Sequence, residues 1–290
     1  MYNKQLLQTA MKQSAIDSNC DWQDFMADKN KVVISQKKEE ARCYLELPFI
    51  CDLTSYGTCI VASVSEELKE IVTEYIHQFS VEHCFETPNL HYLMNRSRPL
   101  GYDVCFMAEY SLPDVDVLVG DNLADKLERK MKKRGEYDIR LLLPKDFQEL
   151  YREEWGNALC EKRKELDVLA VGAYEGGKLI GLAGASADCE TMWQIGIDVL
   201  PQYRKKGIAA ALTARLATEI LKRDIVPFYC CAWSNLGSIR NAIASGFRPA
   251  WVQVTVKQLH EIETLNKLKE QKGHVRVKQL HEIEALNKQQ

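Results

Sequence analysis

The chain has 290 residues, 46% of them apolar and 27% charged, with a net charge of −3, which leaves room for one large or two modest hydrophobic cores. That balance excludes the strongly basic face nucleic-acid binding requires, and no apolar run approaches the ~20 residues of a membrane helix. Met1 to Asn19 is polar and mixed, without the basic and then apolar order of a secretory leader, so the expected compartment is the cytoplasm.

The first unit is expected over residues 1–112. Met1 to Asp28 reads as one helix or two, and Lys31 to Gln36 as a short strand. Residues 42–65 are rich in β-branched and aromatic side chains, most clearly Thr58 to Val64. Ser65 is a suitable N-cap, with Glu66 and Glu67 in the first turn of a helix running to about Phe79. Leu68, Ile71, Val72, Tyr75 and Ile76 fall on one face of it. Val81 to Phe85, a helix from Thr87 or Pro88 to about Met94, Gly101-Tyr102 and a strand from Asp103 to Leu112 complete this unit. Residues 113–137, with a charged helix from Asn122 to Arg134, read as a linker.

The second unit is expected over residues 138–257. Ile139 to Leu143 reads as a strand, Pro144 as the start of a helix anchored by Leu150 and Trp155, and 160–167 as charged and helical. Two strands, Val168 to Tyr174 and Lys178 to Ala187, flank the hairpin turn Glu175-Gly176-Gly177. In Met192 to Val199, apolar Ile195, Ile197 and Val199 alternate with Gln194, Gly196 and Asp198, the period of a strand. A tight turn, Leu200 to Gly207, holds three cations, and an Ala-rich amphipathic helix then runs to about Leu221. A strand from Val226 to Trp233, a helix from Asn235 to Ser245 and a strand from Phe247 to Lys257 follow.

The tail, 258–290, contains a repeat: Val254 to Lys267 and Val275 to Lys288 differ only at Thr255/Arg276 and Thr264/Ala285. Leu259, Ile262 and Leu265, like Leu280, Ile283 and Leu286, space as a helical stripe. An in-frame duplication accounts for it; a helical element supporting a homodimer is the functional alternative. The ten cysteines form no C-x-x-C pair, and they read as small buried hydrophobes in a reducing compartment, with no metal site expected.

The strand-to-helix turn after Val199 has the layout of an anion cradle. A helix start leaves its first N–H groups unpaired and carries partial positive charge, which favours a phosphate there. Gly207 and the small Ala209 let the backbone approach such a ligand. Arg204-x-x-Gly207-x-Ala209, led in by Val199, Pro201 and Tyr203, resembles the pyrophosphate-binding signature of the GNAT superfamily of N-acetyltransferases. Asn235, Ser238, Gly246 and Phe247 fall on the family's second motif. The resemblance implies a GNAT-like α/β (α+β) fold, a mixed, mostly antiparallel sheet flanked by helices, with a smaller α/β domain before it. The order of elements in residues 1–112 also follows the second half of a GNAT domain, so that unit is either a degenerate half-copy or an unrelated α/β domain. As a half-copy it has lost the chemistry, because Val64 to Leu68 offers carboxylates where a cradle needs glycine and cations.

The resemblance further implies acetyl transfer from acetyl-CoA to a primary amine by direct attack, the acceptor being a small molecule or a protein N-terminus. Nucleic acid, membrane and metal play no part in that reading. Backbone contacts to the acyl and pantetheine groups carry over to Ile197, Asp198 and Val199. Those to the pyrophosphate carry over to Arg204, Lys205, Lys206, Gly207, Ile208 and Ala209, with Asn235 and Ser238 from the second motif. An alkyl amine is protonated at neutral pH, so the reaction needs a base, for which Glu190 and then Asp198 are the candidates. The family's usual acid, a Tyr, is replaced here by Ala242; Tyr229, Cys231, Ser234 and Ser238 lie in the same region, and Tyr229 is taken as the candidate. The missing Tyr also leaves open a protein that binds or senses acyl-CoA without turning it over.

Overall fold

The computed structural model describes residues 1–267. Among the described residues, ten strands form one sheet. They are β1 (Lys31–Ile34), β2 (Cys51–Ser55), β3 (Ile60–Val64), β4 (Tyr102–Pro113), β5 (Asp138–Leu142), β6 (Asp167–Glu175), β7 (Lys178–Ser186), β8 (Met192–Val199), β9 (Val226–Ala232) and β10 (Phe247–Gln258). Their order across the sheet is β1-β3-β2-β10-β4-β9-β8-β7-β6-β5. Only β1 with β3 and β8 with β9 run parallel, so the sheet is mixed and mostly antiparallel, as expected.

Flanking it are α1 (Asn3–Ser18), α2 (Lys69–Gln78), α3 (Thr87–Ser97), α4 (Leu123–Lys132), α5 (Ile208–Leu221) and α6 (Leu236–Ala244). Helices α2 to α6 cover one face, α4 to α6 over β6 to β9 and α2 with α3 over β2, β3 and β10. Helix α1 crosses the other face, where Leu6 and Ala10 pack with Tyr110, Phe228 and Trp251. Helix α5 is the most deeply set: Ile208, Ala211, Leu212, Ala214, Leu216, Ala217 and Ile220 are all buried. Each large apolar side chain among them contributes roughly 1.5–3 kcal/mol, which fixes the helix start against the end of β8.

The units expected at 1–112 and 138–257 share this sheet. Strand β4, from the first unit, lies between β9 and β10 of the second, and β2 pairs with the outer edge of β10. Periodicity along the sequence marks a strand but says nothing of which strand lies beside it. The order expected of a half-copy is also corrected at Val81 to Phe85, which forms no strand. His83–Phe85 is a single turn held because the Tyr75 hydroxyl donates to the Cys84 carbonyl at 2.8 Å. The parallel neighbour of β3 is instead β1, which precedes it in the chain. At the end of β3, Leu68 is fully buried, while Glu66 and Glu67 are exposed.

The α-helices expected after Pro144 and over 160–167 are short 3-10 turns at Pro144–Asp146, Gln148–Leu150, Glu153–Trp155 and Glu161–Leu166. Phe147, Trp155, Ala158 and Leu159 anchor this segment to the sheet, and their spacing suits a flat covering rather than one helical stripe. It lies very close to the strands: a Cβ on Gly196 would stand 1.8 Å from the Asn157 carbonyl oxygen, and one on Gly184 1.9 Å from that of Ala158. No side chain larger than hydrogen fits at either position.

None of the ten cysteines forms a disulfide. Cys59 is buried as expected, whereas Cys105, Cys230 and Cys231 are only partly so. The first copy of the tail repeat is divided between the end of β10 and a helical stretch at 259–267. Leu280, Ile283 and Leu286 lie outside the described residues. No helix among the described residues is long and apolar enough to cross a membrane.

Candidate active site

Strands β8 and β9 run side by side only from Met192 opposite Val226 to Ile195 opposite Tyr229. Beyond that rung they part, while β8 stays paired with β7 as far as Val199 opposite Gly181. The amide of Leu200 donates to the Ile180 carbonyl at 3.0 Å. Because backbone groups alternate in direction along an antiparallel ladder, Gly196 and Asp198 direct theirs at β7. Ile197 and Val199 direct theirs into the gap that β9 has left. The gap is therefore lined by peptide groups that no neighbouring strand takes up.

The corner at the end of β8 is a bend between strand and helix. Pro201–Tyr203 makes one 3-10 turn, Arg204 is extended, and Lys205 and Gly207 both have positive φ, 62° and 88°. Gly207 is the N-cap of α5 and has no side chain to cap it, so the first amides of the helix remain open to a ligand. Nothing lies within 4 Å of where a Gly207 Cβ would stand. The sequence argument for glycine rested on clearance, and the backbone supplies a second reason, since a φ of 88° is strained for any other residue.

The surrounding side chains brace this corner without filling it. The Tyr203 hydroxyl donates to Glu175 at the end of β6 at 2.6 Å, and the Lys206 ammonium lies 5.0 Å from the Tyr203 ring centre. Arg204 Nε donates to the Val199 carbonyl at 3.1 Å, and Arg134 reaches the Lys205 carbonyl at 3.4 Å. Ile208 is buried under the corner, while Arg204, Lys205 and Gly207 are exposed. Three cationic residues, Arg204, Lys205 and Lys206, thus directly precede the open amides at the start of α5.

The candidates for proton transfer are dispersed. Glu190 is exposed in the β7–β8 loop, beyond the paired end of β8 and β9 and seven residues before Ile197. At strand rise that is roughly 23 Å of chain, so Glu190 is not brought to the gap. Asp198 is spoken for: its carboxylate accepts from the Asn157 amide at 2.8 Å, Asn157 Nδ2 at 2.6 Å and the Ala158 amide at 3.0 Å. Its own peptide groups face β7. Its carboxylate holds the 153–159 segment to the sheet.

Tyr229 occupies the last rung before the gap, on the helical face, and is 3% exposed. Burial pushes its hydroxyl above the ordinary phenol range, while hydrogen bonding with Ser238 and Asn241 opposes the shift. Asn235 caps α6, its Oδ1 accepting from the Ser238 amide at 3.2 Å. Ala242, where the family's Tyr would stand, is buried at 2% exposure. One residue near the gap escaped the sequence reading. Glu109 on β4 lies opposite Cys231, two residues past Tyr229, and is partly buried. No local signal could have revealed it, because β4 reaches β9 across more than a hundred residues of chain.

The parting strands, the open corner and the small-residue helix are the arrangement of an acyltransferase of the GNAT type, and the chain belongs to the GNAT acetyltransferase family, whose model matches residues 58–250. The match begins just before β3 and so takes in α2, α3 and β4 as well as the second unit as far as the start of β10. No curated protein matches the chain. Among solved structures, a GCN5-related N-acetyltransferase-like protein from Streptococcus suis is similar at 18% identity over 59% of this chain and 69% of its own, with a TM-score of 0.43. A GCN5-related N-acetyltransferase from Kribbella flavida aligns at 16% over 59% of this chain and 64% of its own, TM-score 0.42. The protein yncA from Salmonella typhimurium, solved with its cofactor acetyl-CoA, aligns at 18% over 43% of this chain and 95% of its own, TM-score 0.33. Among the described residues, no group of three or more His, Cys, Asp or Glu side chains could hold a metal ion.

Proposed function

We propose that the protein is an N-acetyltransferase that moves the acetyl group of acetyl-CoA to a primary amine by direct attack. The observation that carries this reading is the open corner at Gly207, set at the end of a strand whose neighbour has moved away. A pyrophosphate on the amides of Gly207 to Ala209 gains charge-assisted hydrogen bonds there, with Arg204, Lys205 and Lys206 around it. The pantetheine arm then lies in the gap, where the peptide groups of Ile197 and the amide of Val199 offer the hydrogen bonds that β9 no longer takes. A donor among them also serves the oxyanion of the tetrahedral intermediate, the charge that most needs stabilising. Asn235 and Ser238 hold the start of α6 beside this channel. The proton leaving the amine requires a carboxylate near the gap, and Glu109 offers one where Glu190 and Asp198 do not.

The absence of a Tyr at position 242 favours a second reading, an acyl-CoA-binding protein without turnover. Both readings place the protein in the cytoplasm with acetyl-CoA as its ligand and no metal. Calorimetric titration with acetyl-CoA, followed by thiol release against a panel of primary amines, separates them. Saturable binding with thiol release on at least one amine supports transfer, binding without release on any amine supports the sensor, and no binding overturns both.

A further inference from the structure

Strand β1 closes one side of the sheet, with β3 as its neighbour. The Ser35 amide donates to the Val64 carbonyl of β3 at 2.8 Å, and backbone groups alternate in direction along a strand. Lys31 and Val33 therefore turn theirs to β3, while Val32 and Ile34 turn theirs away from the sheet. Asn19 Nδ2 donates to the outward carbonyl of Ile34 at 3.0 Å. Among the described residues, nothing takes up the Val32 amide, the Val32 carbonyl or the Ile34 amide. An edge left in this state is a template for one more strand.

The first copy of the tail repeat shows how its sequence behaves in this sheet. Val254 to Val256 lies within β10, paired with β2 on one side and β4 on the other. Val254 and Val256 are buried in the apolar cluster under α2 and α3, and Val32 and Ile34 pack against the same cluster. Val275-Arg276-Val277-Lys278-Gln279 repeats Val254-Thr255-Val256-Lys257-Gln258 with a single change. Thr255 gives its hydroxyl to the buried Asp52 at 2.9 Å. An arginine in its place suits the rim of a sheet, where charge meets water, and not the middle.

We propose that Val275 to Lys278 of the same chain pairs antiparallel with the outer edge of β1, as an eleventh strand. Val256 of β10, Cys51 of β2, Val64 of β3 and Ile34 of β1 stand in one row across the sheet, so β10 and β1 end level with each other. A strand outside β1 is four inter-strand steps from β10, about 19 Å. The helical stretch 259–267 and residues 268–274 lie between, and the latter alone extend to about 24 Å. The opposite edge, outside β5, is seven steps away, about 34 Å. A segment running back from the level end of β10 and β1 is antiparallel to β1, with Val275 opposite Ile34 and Val277 opposite Val32. Val277 then exchanges both backbone hydrogen bonds with Val32, and the Val275 carbonyl takes the Ile34 amide. The two valines join the cluster under α2. Arg276 falls opposite Val33, on the face where the Asp24 carboxylate holds Lys31 at 2.7 Å.

Amide exchange read residue by residue by nuclear magnetic resonance tests this on the full chain. Val277→Pro removes the N–H aimed at Val32 and cannot continue the ladder. It is expected to speed exchange at the Val32 and Ile34 amides by about tenfold or more, with the amides of β4 within about twofold of wild type. Both proteins are expected to sediment as monomers. Unchanged exchange at Val32 and Ile34 overturns the proposal. A dimer that Val277→Pro dissolves also overturns it, because the added strand then belongs to a second copy. If Val277→Pro does not fold, the wild type alone decides. The Hα atoms of Val33 and Arg276 are expected to give a direct Overhauser contact across the new rung, and its absence overturns the proposal.

Discussion

Ile195 stands opposite Tyr229, and theirs is the last rung that β8 and β9 share. One residue further on, the sheet has exchanged a backbone partner for an opening, and four residues beyond that, at Leu200, the chain bends into the turn that ends at Gly207. Everything ascribed to the site depends on this sequence of events along one strand. Paired backbone comes first, then unpaired backbone, and then a helix start with no side-chain cap.

Replacement of Gly207 by valine is the most direct challenge to the corner. A Cβ there meets no atom of the protein, but it points into the space assigned to the pyrophosphate, and a φ of 88° costs a β-branched residue on the order of 1–3 kcal/mol. Gly207→Val is expected to retain the wild-type circular dichroism spectrum and to lose at least about tenfold in acetyl-CoA affinity by calorimetry, ~1.4 kcal/mol or more. Unchanged affinity in a folded variant would count against the corner as the binding site.

How far the sequence revealed this arrangement varies with the range of the interaction. The corner was legible because it is local. A period of two in Met192 to Val199 gives way to a period of 3.6 after Ile208, and the residues between them carry the glycine and the charges. The place of β4 was not legible, since Tyr110 meets Cys230 by a pairing that no neighbouring residue encodes. Val81 to Phe85 misleads for a different reason: Cys84 and Phe85 are buried by packing under α2, and apolar character alone does not separate a buried turn from a strand. In Asp198, alternation along β8 marked the residue as distinct from its apolar neighbours. Only the fold shows that three N–H groups of a distant segment have claimed it.

That claim distinguishes an anchor from a base. Asp198→Ala leaves the amides of Asn157 and Ala158 without their acceptor, and hydrogen bonds to a charged group are worth about 1.5–3 kcal/mol each. Hydrogen exchange over residues 153–160 is expected to accelerate by about tenfold or more, while acetyl-CoA affinity changes by less than about twofold. If exchange in that segment stays at the wild-type rate, the carboxylate is not what holds it down.

The same segment is pinned at its other end by Asp167, which accepts from the Cys160 amide at 2.9 Å and is 3% exposed. Burial pushes its carboxyl from 3.8 to about 6, and the hydrogen bonds from Cys160 and Tyr151 and the charge of Arg163 offset only part of that rise. With the folded pKa above the unfolded one, the folded state holds the proton more tightly between about pH 4 and 6. Asp167 therefore favours folding most below pH 4. Its contribution declines as pH rises through that window and is gone above it, the reverse of a salt-bridged carboxylate. The stability of the wild type relative to Asp167→Asn should fall by roughly 1–2 kcal/mol between pH 4 and 6.5, less than full linkage because nearby water screens the charge. Urea unfolding of both proteins at intervals across that range measures the difference, and a relative stability that rises with pH, or does not change, would show that Asp167 ionises in the folded protein as readily as in the unfolded chain.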